Sequence, residues 1–297
     1  MNSAGNHKTF GALSVLTSAV LFGSYGVWSR LIGTGMGNFF QGWTRALIIL
    51  IVIVPIICWR KEWSRIEAQD RKWIAVFMLC TSLTQAPLFY AFNHMDVGAA
   101  SILFFVAMFF TMNLVGIIFF RERLSVLKII AALLALVGMC MIFSFSLAQF
   151  SLLAVCMALL NGIASGGEIA FSKRISSNYS PLFLTALSWF IILITNSLIS
   201  FLLDETQIAF TFSSVWLWQL FYSLVSLFAF WFVIVGFKYV DATIGALIGL
   251  LEIVFSVILA WILFYEQPTV SIVVGGMLII FAAALPHLQS LQNFRKV

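Results

Sequence analysis

The chain has 297 residues, of which 62% are hydrophobic and only 9% are charged, and its mean hydropathy is +1.08. A water-soluble domain carries about 25% charged residues, so this composition excludes an ordinary soluble protein. The formal net charge of +5 gives no reason to expect a nucleic-acid partner, because the basic residues cluster between apolar segments.

Apolar runs of about 20 residues, the length that crosses a hydrocarbon layer of ~30 Å, recur along the whole chain. Bounded by charged or turn residues, they predict an all-α polytopic membrane protein with ten transmembrane helices and short loops. The predicted spans are 10–29, 38–58, 73–93, 97–119, 125–145, 150–171, 181–203, 213–237, 242–264 and 269–288. No loop between them is long enough to hold a soluble domain.

The Lys and Arg residues fall almost entirely on one side of these spans. With the N-terminus placed inside, 14 of the 16 basic residues lie in inner segments, Arg30 lies in an outer loop, and Arg45 lies within the second span. The positive-inside rule then predicts that both termini are cytoplasmic. The lipid bilayer is accordingly a predicted partner.

Three short segments of the first half recur in the same order in the second half. Residues 28–32 resemble 171–175 at an offset of 143, residues 92–96 resemble 237–241 at 145, and residues 120–125 resemble 264–269 at 144. They predict a first five-helix repeat over 1–146 and a second over 147–297. Because five is odd, the second repeat enters the membrane from the opposite side, and inverted repeats of this kind are typical of secondary transporters.

The most specific motif of the chain runs from the end of the eighth span to the end of the ninth. Phe237-Lys238-Tyr239-Val240-Asp241-Ala242 leads to Leu251-Glu252 and then to Trp261-Ile262-Leu263-Phe264-Tyr265-Glu266-Gln267-Pro268, and Phe119-Phe120-Arg121-Glu122 is the first-half counterpart of that last stretch. This pattern resembles the drug/metabolite transporter (DMT) superfamily, EamA type. The resemblance implies a carrier for small metabolites in a bacterial-type inner (plasma) membrane, often an exporter, whose central cavity is lined by spans one, three, four, six, eight and nine.

Ionisable residues inside a span are candidates for function, because each is costly there, by about 2.5–3.5 kcal/mol at the centre of a helix. Glu252 lies near the middle of the ninth span, where the resemblance implies a Glu. It is interpreted as a group that exchanges a proton or pairs with a cationic substrate. The alternative is a structural ion pair, with Arg45 of the second span as the obvious partner.

Glu168 of the sixth span follows two glycines, which allow a neighbouring backbone or a ligand to approach closely. Its counterpart in the first repeat, at an offset of 143, is Tyr25. Glu168 is interpreted as a contact to substrate or proton, with Phe22 as an aromatic neighbour from the other side. The alternative is that its side chain extends towards the membrane surface to pair with Lys173 or Arg174.

Neutral polar and aromatic residues form a second group of candidates. They are Gln85, Asn113, Asn161 and Trp231. Pro87 is predicted to kink the third span beside them, and kinked helices often border transport sites. Each amide is interpreted either as a substrate contact or as an interhelical hydrogen bond, and Trp231 either as a cavity-lining ring or as one that faces lipid.

The chain lacks the motifs of several other classes of protein. It has no G-x-x-x-x-G-K-[ST] nucleotide loop and no H-E-x-x-H metal motif, and no His within a span faces a Ser or Cys. We therefore predict no enzymatic activity, no cofactor and no metal site.

These observations favour a secondary active transporter that works by alternating access. We expect export of amino acids or related metabolites, with protons as the coupling ion and a monomer or homodimer as the working unit. One alternative is a transporter of choline-like organic cations that uses Glu168 with Phe22, Tyr25 and Trp231. A further alternative is a membrane scaffold or receptor that transports nothing.

Overall fold

The computed structural model describes residues 3–95, 97–122, 125–143 and 151–294, which contain thirteen α-helices and no β-strand. The helices are α1 (Ser3–Gly23), α2 (Tyr25–Ile32), α3 (Asn38–Arg60), α4 (Arg71–Ser82), α5 (Ala86–His94), α6 (Val97–Phe120), α7 (Val126–Ile142), α8 (Leu152–Ile175), α9 (Pro181–Leu202), α10 (Ser214–Phe237), α11 (Ala242–Gly249), α12 (Leu251–Phe264) and α13 (Val270–Phe294).

Ten apolar segments are built from these helices, because α1 runs on into α2, α4 into α5, and α11 into α12. In the described part of the chain, eight segments are long and apolar enough to cross a membrane, and 126–142 and 270–286 are shorter apolar helices. The prediction of an all-α polytopic membrane protein with ten spans is confirmed. The predicted repeat boundary at 146/147 lies outside the described residues, as do Asp96 and Arg123 of the repeated segments.

Three of the ten segments are broken in the middle, and the breaks have local causes. Between α4 and α5 the chain turns at 83–85, and Pro87, in the first turn of α5, lacks the N–H that would continue the helix. The other breaks fall at Ser24, after Gly23, and at Leu250, after Gly249. The repeat counterparts of these segments, α8, α10 and α6, are unbroken. The two halves therefore share a topology without being identical in shape.

Packing between the helices follows the inverted repeat. The second segment packs on the seventh (α3 on α9) and the fifth on the tenth (α7 on α13), so each of these helices contacts its own counterpart. The remaining contacts come in matched sets: α1 packs on α10, α11 and α12, as α8 packs on α4, α5 and α6. A pseudo-twofold axis therefore passes between α3 and α9 on one side and between α7 and α13 on the other.

Two glycines show this symmetry at atomic detail. A methyl group on Gly23 would lie 2.8 Å from the carbonyl oxygen of Glu252, and one on Gly166 would lie 2.7 Å from the carbonyl oxygen of Met108. Gly23 and Gly166 differ by 143 in number, and Glu252 and Met108 differ by 144. The first and ninth segments thus make the same backbone contact as the sixth and fourth.

We predict that Gly23→Ala lowers the free energy of unfolding by about 1–3 kcal/mol, because overpacking forces backbone shifts. Gly26→Ala, three residues away, is the matched control, since a methyl group there meets no atom within 4 Å. The measurement is the melting temperature of each purified variant in the same detergent. Equal melting temperatures for the two variants would contradict the packing described here.

Candidate functional site

Arg45 lies in the middle of α3 and is buried, with 6% of its surface exposed. Its guanidinium carbon lies 4.3 Å from the centre of the Tyr222 ring, 5.6 Å from that of Trp189 and 5.7 Å from that of Tyr25. Tyr222 and Trp189 come from α10 and α9 of the second repeat, and Tyr25 comes from α2 of the first. Attraction between a cation and aromatic faces stabilises a guanidinium group in such surroundings.

Three N–H donors of this cluster have no hydrogen-bond partner within the described part of the chain. They are Nε and Nη1 of Arg45 and Nε1 of Trp189. An unpaired buried donor costs about 1–3 kcal/mol, and a charged one costs more. The Arg45 cluster, which we define as Arg45, Tyr25, Trp189 and Tyr222, is thus rich in donors and poor in acceptors.

The alternative interpretation of Glu252, a structural ion pair with Arg45, is not seen among the described residues. Among the described residues, no nitrogen of Arg45 lies within 4.0 Å of a carboxylate oxygen. Glu252 is half-buried in the first turn of α12, where the helix dipole favours negative charge, and Tyr25 lies within electrostatic range of both groups. The rotation of α3 turns Arg45 towards the rings of α9 and α10 instead.

Glu168 forms a second polar cluster, in the middle of α8. Its Oε1 accepts hydrogen bonds from Thr81 Oγ1 at 2.8 Å and from Ser188 Oγ at 2.9 Å, and 6% of the residue is exposed. The alternative pairing with basic residues of the same helix is not seen, because Lys173 pairs with Glu122 and Arg174 lies over the Trp73 ring. Two hydroxyl donors from α4 and α9 hold the carboxyl group within the bundle.

The Glu168 and Arg45 clusters are counterparts under the repeat. Glu168 corresponds to Tyr25, and Ser188 corresponds to Arg45, both at an offset of 143. The contact between Glu168 and Ser188 in one half is therefore matched by the contact between Tyr25 and Arg45 in the other. The Glu168 cluster thus contains an acid with hydroxyl donors, and the matching cluster of the other repeat contains a base among aromatic rings.

The candidate amides form hydrogen bonds between helices. Gln85, at the break before α5, accepts from Asn196 Nδ2 of α9, and this bond lies against Gly42 of α3. Asn161 Nδ2 donates to the carbonyl oxygen of Thr84, which lies in the same break. The break in the third segment is thus stabilised by two amides from neighbouring helices.

The other predicted site residues lie further from the two charged clusters. Asn113 of α6 donates to the carbonyl oxygen of Phe109 at 2.8 Å and accepts from the hydroxyl of Thr243 in α11. Phe22 packs edge-on against Tyr25, with 5.0 Å between ring centres. Trp231 packs against its neighbour Phe232, and the structure does not bring it to Glu168 within the described residues.

Two ion pairs lie at opposite ends of the bundle. Lys173 Nζ lies 2.6 Å from Glu122 Oε1 and also donates to the carbonyl oxygen of Val240 at 2.7 Å. At the other end Arg30 pairs with Glu266. Arg30 and Lys173 differ by 143 in number and Glu122 and Glu266 by 144, so the two ion pairs are repeat counterparts. We name the two ends the Lys173 face and the Arg30 face.

The two faces differ in how tightly they are closed. The side chains of Lys173 and Glu122 are 13% and 10% exposed, whereas those of Arg30 and Glu266 are 55% and 51% exposed. Glu122 also accepts from the backbone N–H of Ala242 at 2.9 Å, and Lys128 pairs with Asp241 at 3.1 Å beside it. The Lys173 face is therefore sealed by a network, and the Arg30 face by one exposed pair.

The broken ninth segment follows the same asymmetry. Both α11 and α12 pack on α1 and α13, but α11, near the Lys173 face, also packs against α6 and α7, whereas α12, which continues to the Arg30 face, also packs against α2. A cavity of about 250 Å³ lies at the Arg30 face between α3, α5 and α9, lined by residues that include Phe39, Tyr90 and Ile199. About one helical turn below the floor of this cavity lie three residues, Gly42, Gln85 and Asn196. Arg45 lies about one further turn inward along α3.

The comparison with protein families supplies the identity of the fold. The profile of the EamA-like transporter family matches the chain twice, over residues 9–144 and 152–286. The chain belongs to the EamA-like transporter family. The resemblance to the DMT superfamily predicted from the sequence is confirmed.

Two further comparisons concern individual proteins. No curated protein matches this EamA-like chain. Among solved structures 29 chains match, and one, described only as a crystal structure of a protein, has a TM-score of 0.77 and 17% sequence identity. The superposition covers 95% of this chain and 98% of the other. At that identity the likeness shows a shared fold and nothing about the transported solute.

Several residues of the EamA-like site were missed by the sequence analysis. Thr81 and Ser188, which hold Glu168, are ordinary hydroxyl residues in apolar helices, and Trp189 is one of 10 tryptophans. The sequence did contain one signal. The offset of 143 makes Ser188 the repeat counterpart of Arg45, and Trp189 is the residue that follows Ser188. The sequence contains no comparable signal for Thr81, because Thr81 reaches Glu168 only through the packing of α4 on α8.

We predict that Glu122→Gln lowers the free energy of unfolding by about 3–5 kcal/mol, because it leaves the buried Lys173 ammonium without its counterion. Glu266→Gln breaks the exposed counterpart and lowers it by about 0–1 kcal/mol. Glu62→Gln, which removes the partner of Arg60 in a pair at 3.6 Å, is the control for a surface ion pair. Melting temperatures in detergent measure all three, and equal losses for Glu122→Gln and Glu266→Gln would contradict the difference in closure.

Proposed function

We propose that this chain is a secondary active transporter of a small polar metabolite, and that the Lys173 face and the Arg30 face open in turn. The unequal closure of the two symmetry-related ion pairs carries this proposal. An inverted repeat allows the halves to exchange conformations, so that the tight pair at one face loosens while its counterpart at the other face tightens. The conformation described here is closed at the Lys173 face.

The arrangement of the ion pairs also explains why both states are accessible. Each face has one basic residue at the end of the first or sixth segment and one acidic residue at the end of the fourth or ninth. Because the two faces use the same chemistry, loss of a pair at one face is offset by formation of its counterpart at the other. A small free-energy difference between the states lets solute and ion gradients drive the cycle.

The orientation in the membrane follows from the distribution of basic residues. We propose that the Lys173 face is cytoplasmic and that the protein lies in an inner (plasma) membrane, with both termini inside. In this orientation the described state is closed more tightly towards the cytoplasm than towards the outside. Amino acids and related metabolites are the proposed substrates, and export is the proposed direction. One chain contains both repeats, so a monomer is sufficient for transport.

The alternative of choline-like organic cations receives less support. Tyr25, one of its proposed cage residues, already lies over the guanidinium of Arg45, and Trp231 packs against Phe232. A substrate cation would have to compete with the fixed charge of Arg45 for that ring. Glu168 alone remains as its counterion.

We predict that a disulfide across the Lys173 face stops transport. The Cβ position of Gly116 in α6 lies 3.5 Å from Cβ of Ala242 in α11, within the range of about 3.5–4.5 Å that a disulfide needs. In a background in which the four native cysteines are replaced by alanine, Gly116→Cys with Ala242→Cys loses amino-acid exchange in proteoliposomes on oxidation and regains it on reduction.

The two single-cysteine variants are the controls for this cross-link, since they meet the same oxidant without forming the bridge. Substrates are first identified by screening labelled amino acids on the wild-type protein. Exchange that continues at the wild-type rate after the disulfide has formed would contradict alternating access through the Lys173 face.

We further propose that protons drive transport and that Glu252 carries them. Its carboxyl group lies at the break between α11 and α12, where the chain has two short helices rather than one stiff one. We predict that Glu252→Gln keeps the fold and transports at a rate that no longer varies with pH, because an amide neither binds nor releases a proton. Flux measured from pH 5 to 8 in proteoliposomes tests this, with Glu62→Gln as the control, and a wild-type pH profile in Glu252→Gln would contradict it.

A further inference from the structure

We propose that the Arg45 cluster is the binding site for the carboxylate group of the transported solute. This inference deepens the proposed function and rests on it. It begins from an imbalance in the middle of the bundle: the described residues place a buried cation, Arg45, where no carboxylate lies within 4.0 Å of it. The aromatic faces around the guanidinium stabilise its charge but accept no hydrogen bond in its plane.

Three of the buried donors that lack partners belong to this one cluster, whereas Trp43 Nε1 and Ser226 Oγ lie outside it. Nε and Nη1 of Arg45 and Nε1 of Trp189 are all buried and unpaired, and the Trp189 ring centre lies 5.6 Å from the guanidinium carbon. A carboxylate offers two oxygens with about four acceptor positions, which suits a guanidinium fork and one further N–H. An ammonium group offers only donors and satisfies none of these three.

The aromatic surroundings of Arg45 leave part of its fork available to an acceptor from elsewhere. The guanidinium carbon lies 4.3 Å from the ring centre of Tyr222 on α10 and 5.7 Å from that of Tyr25 on α2, and Nε and Nη1 remain without a hydrogen-bond partner. Arginine is the side chain best suited to bidentate recognition of this kind.

The matched cluster of the other repeat holds an acid, Glu168, which could serve as the counterion of an ammonium group. Ser188 and Trp189 are neighbours on α9, and Ser188 donates to Glu168 while Trp189 borders Arg45. A single helix therefore connects an acidic position and a basic one. A solute with a carboxylate and an ammonium group has a partner of opposite charge at each.

The cavity at the Arg30 face gives a direction of approach. It is lined along α3 by Phe39, and Arg45 lies six residues further along the same helix, about 9 Å inward. The hydrogen bond between Gln85 and Asn196, against Gly42, separates the two. A solute entering from that face passes this layer of amides before it reaches Arg45.

The test compares solutes that differ only in their carboxyl group. For one amino acid that the wild-type protein transports, its amide and its decarboxylated amine are used as competitors of transport and as ligands in a thermal-shift assay. We expect the amino acid to compete and to raise the melting temperature, and the amide and amine to be at least tenfold weaker. Arg45→Gln abolishes that difference, so that amino acid and amide compete equally poorly.

Two further variants separate binding from folding. Arg45→Lys keeps the charge but lacks the fork, and we expect it to restore the preference for the carboxylate only in part. Trp189→Phe keeps the ring and removes its N–H, and we expect the apparent affinity for the amino acid to fall about 3- to 10-fold while that for the amide is unchanged. The melting temperature of each unliganded variant reports its folding.

The outcomes distinguish this inference from the transport function itself. Equal competition by amino acid, amide and amine on a wild-type protein that transports would overturn the carboxylate site and leave transport in place. So would an Arg45→Gln variant that keeps the wild-type preference. Absence of flux for every amino acid would instead contradict the proposed substrate class, on which the carboxylate site depends.

Discussion

Charge that is removed from water must be paired, and the Lys173–Glu122 ion pair shows how this chain uses that constraint. The pair is largely screened from water, the carboxylate also receives a backbone N–H from the start of α11, and the ammonium also donates to the carbonyl oxygen of Val240. Both contacts of Glu122 join the first repeat to the second, whereas the contact between Lys173 and Val240 lies within the second repeat. Closure of this face therefore depends on a few charged groups whose partners are strongly favoured once water is excluded. At the opposite end the repeat counterparts of Lys173 and Glu122, Arg30 and Glu266, form an exposed pair.

The middle of the bundle shows the same constraint left unsatisfied. Glu168 has two hydroxyl donors, whereas its counterpart region holds Arg45 among rings, with unpaired N–H groups. At the two matched pairs of positions, one repeat carries Tyr25 with Arg45 and the other carries Glu168 with Ser188, so the centre has a polarity that identical repeats would lack. The ion pairs at the two faces are alike, whereas these central residues differ. This division suits a protein in which the faces exchange roles and the centre distinguishes one solute from another.

The sequence predicted the features that depend on length and order. Span positions follow from the thickness of the hydrocarbon layer, and the break near Pro87 follows from a missing N–H. The inverted topology follows from matched segments and an odd number of helices. The contacts of Arg45 could not be predicted, because α3 carries apolar residues on most of its circumference and its rotation is set by packing on α9. The same reason hid the partners of Glu168, which come from helices far away in the chain.

The central claim is that the two faces open in opposite phase, and distances across each face test it most directly. Spin labels at Arg121 and Lys238 report on the Lys173 face, and labels at their repeat counterparts, Tyr265 and Asn93, report on the Arg30 face; all four side chains are exposed. Pulsed electron paramagnetic resonance measures both distances with and without a transported amino acid, at low and high pH. The account predicts that whenever one distance lengthens the other shortens. Distances that stay fixed in every condition, or that change in the same direction, would contradict it.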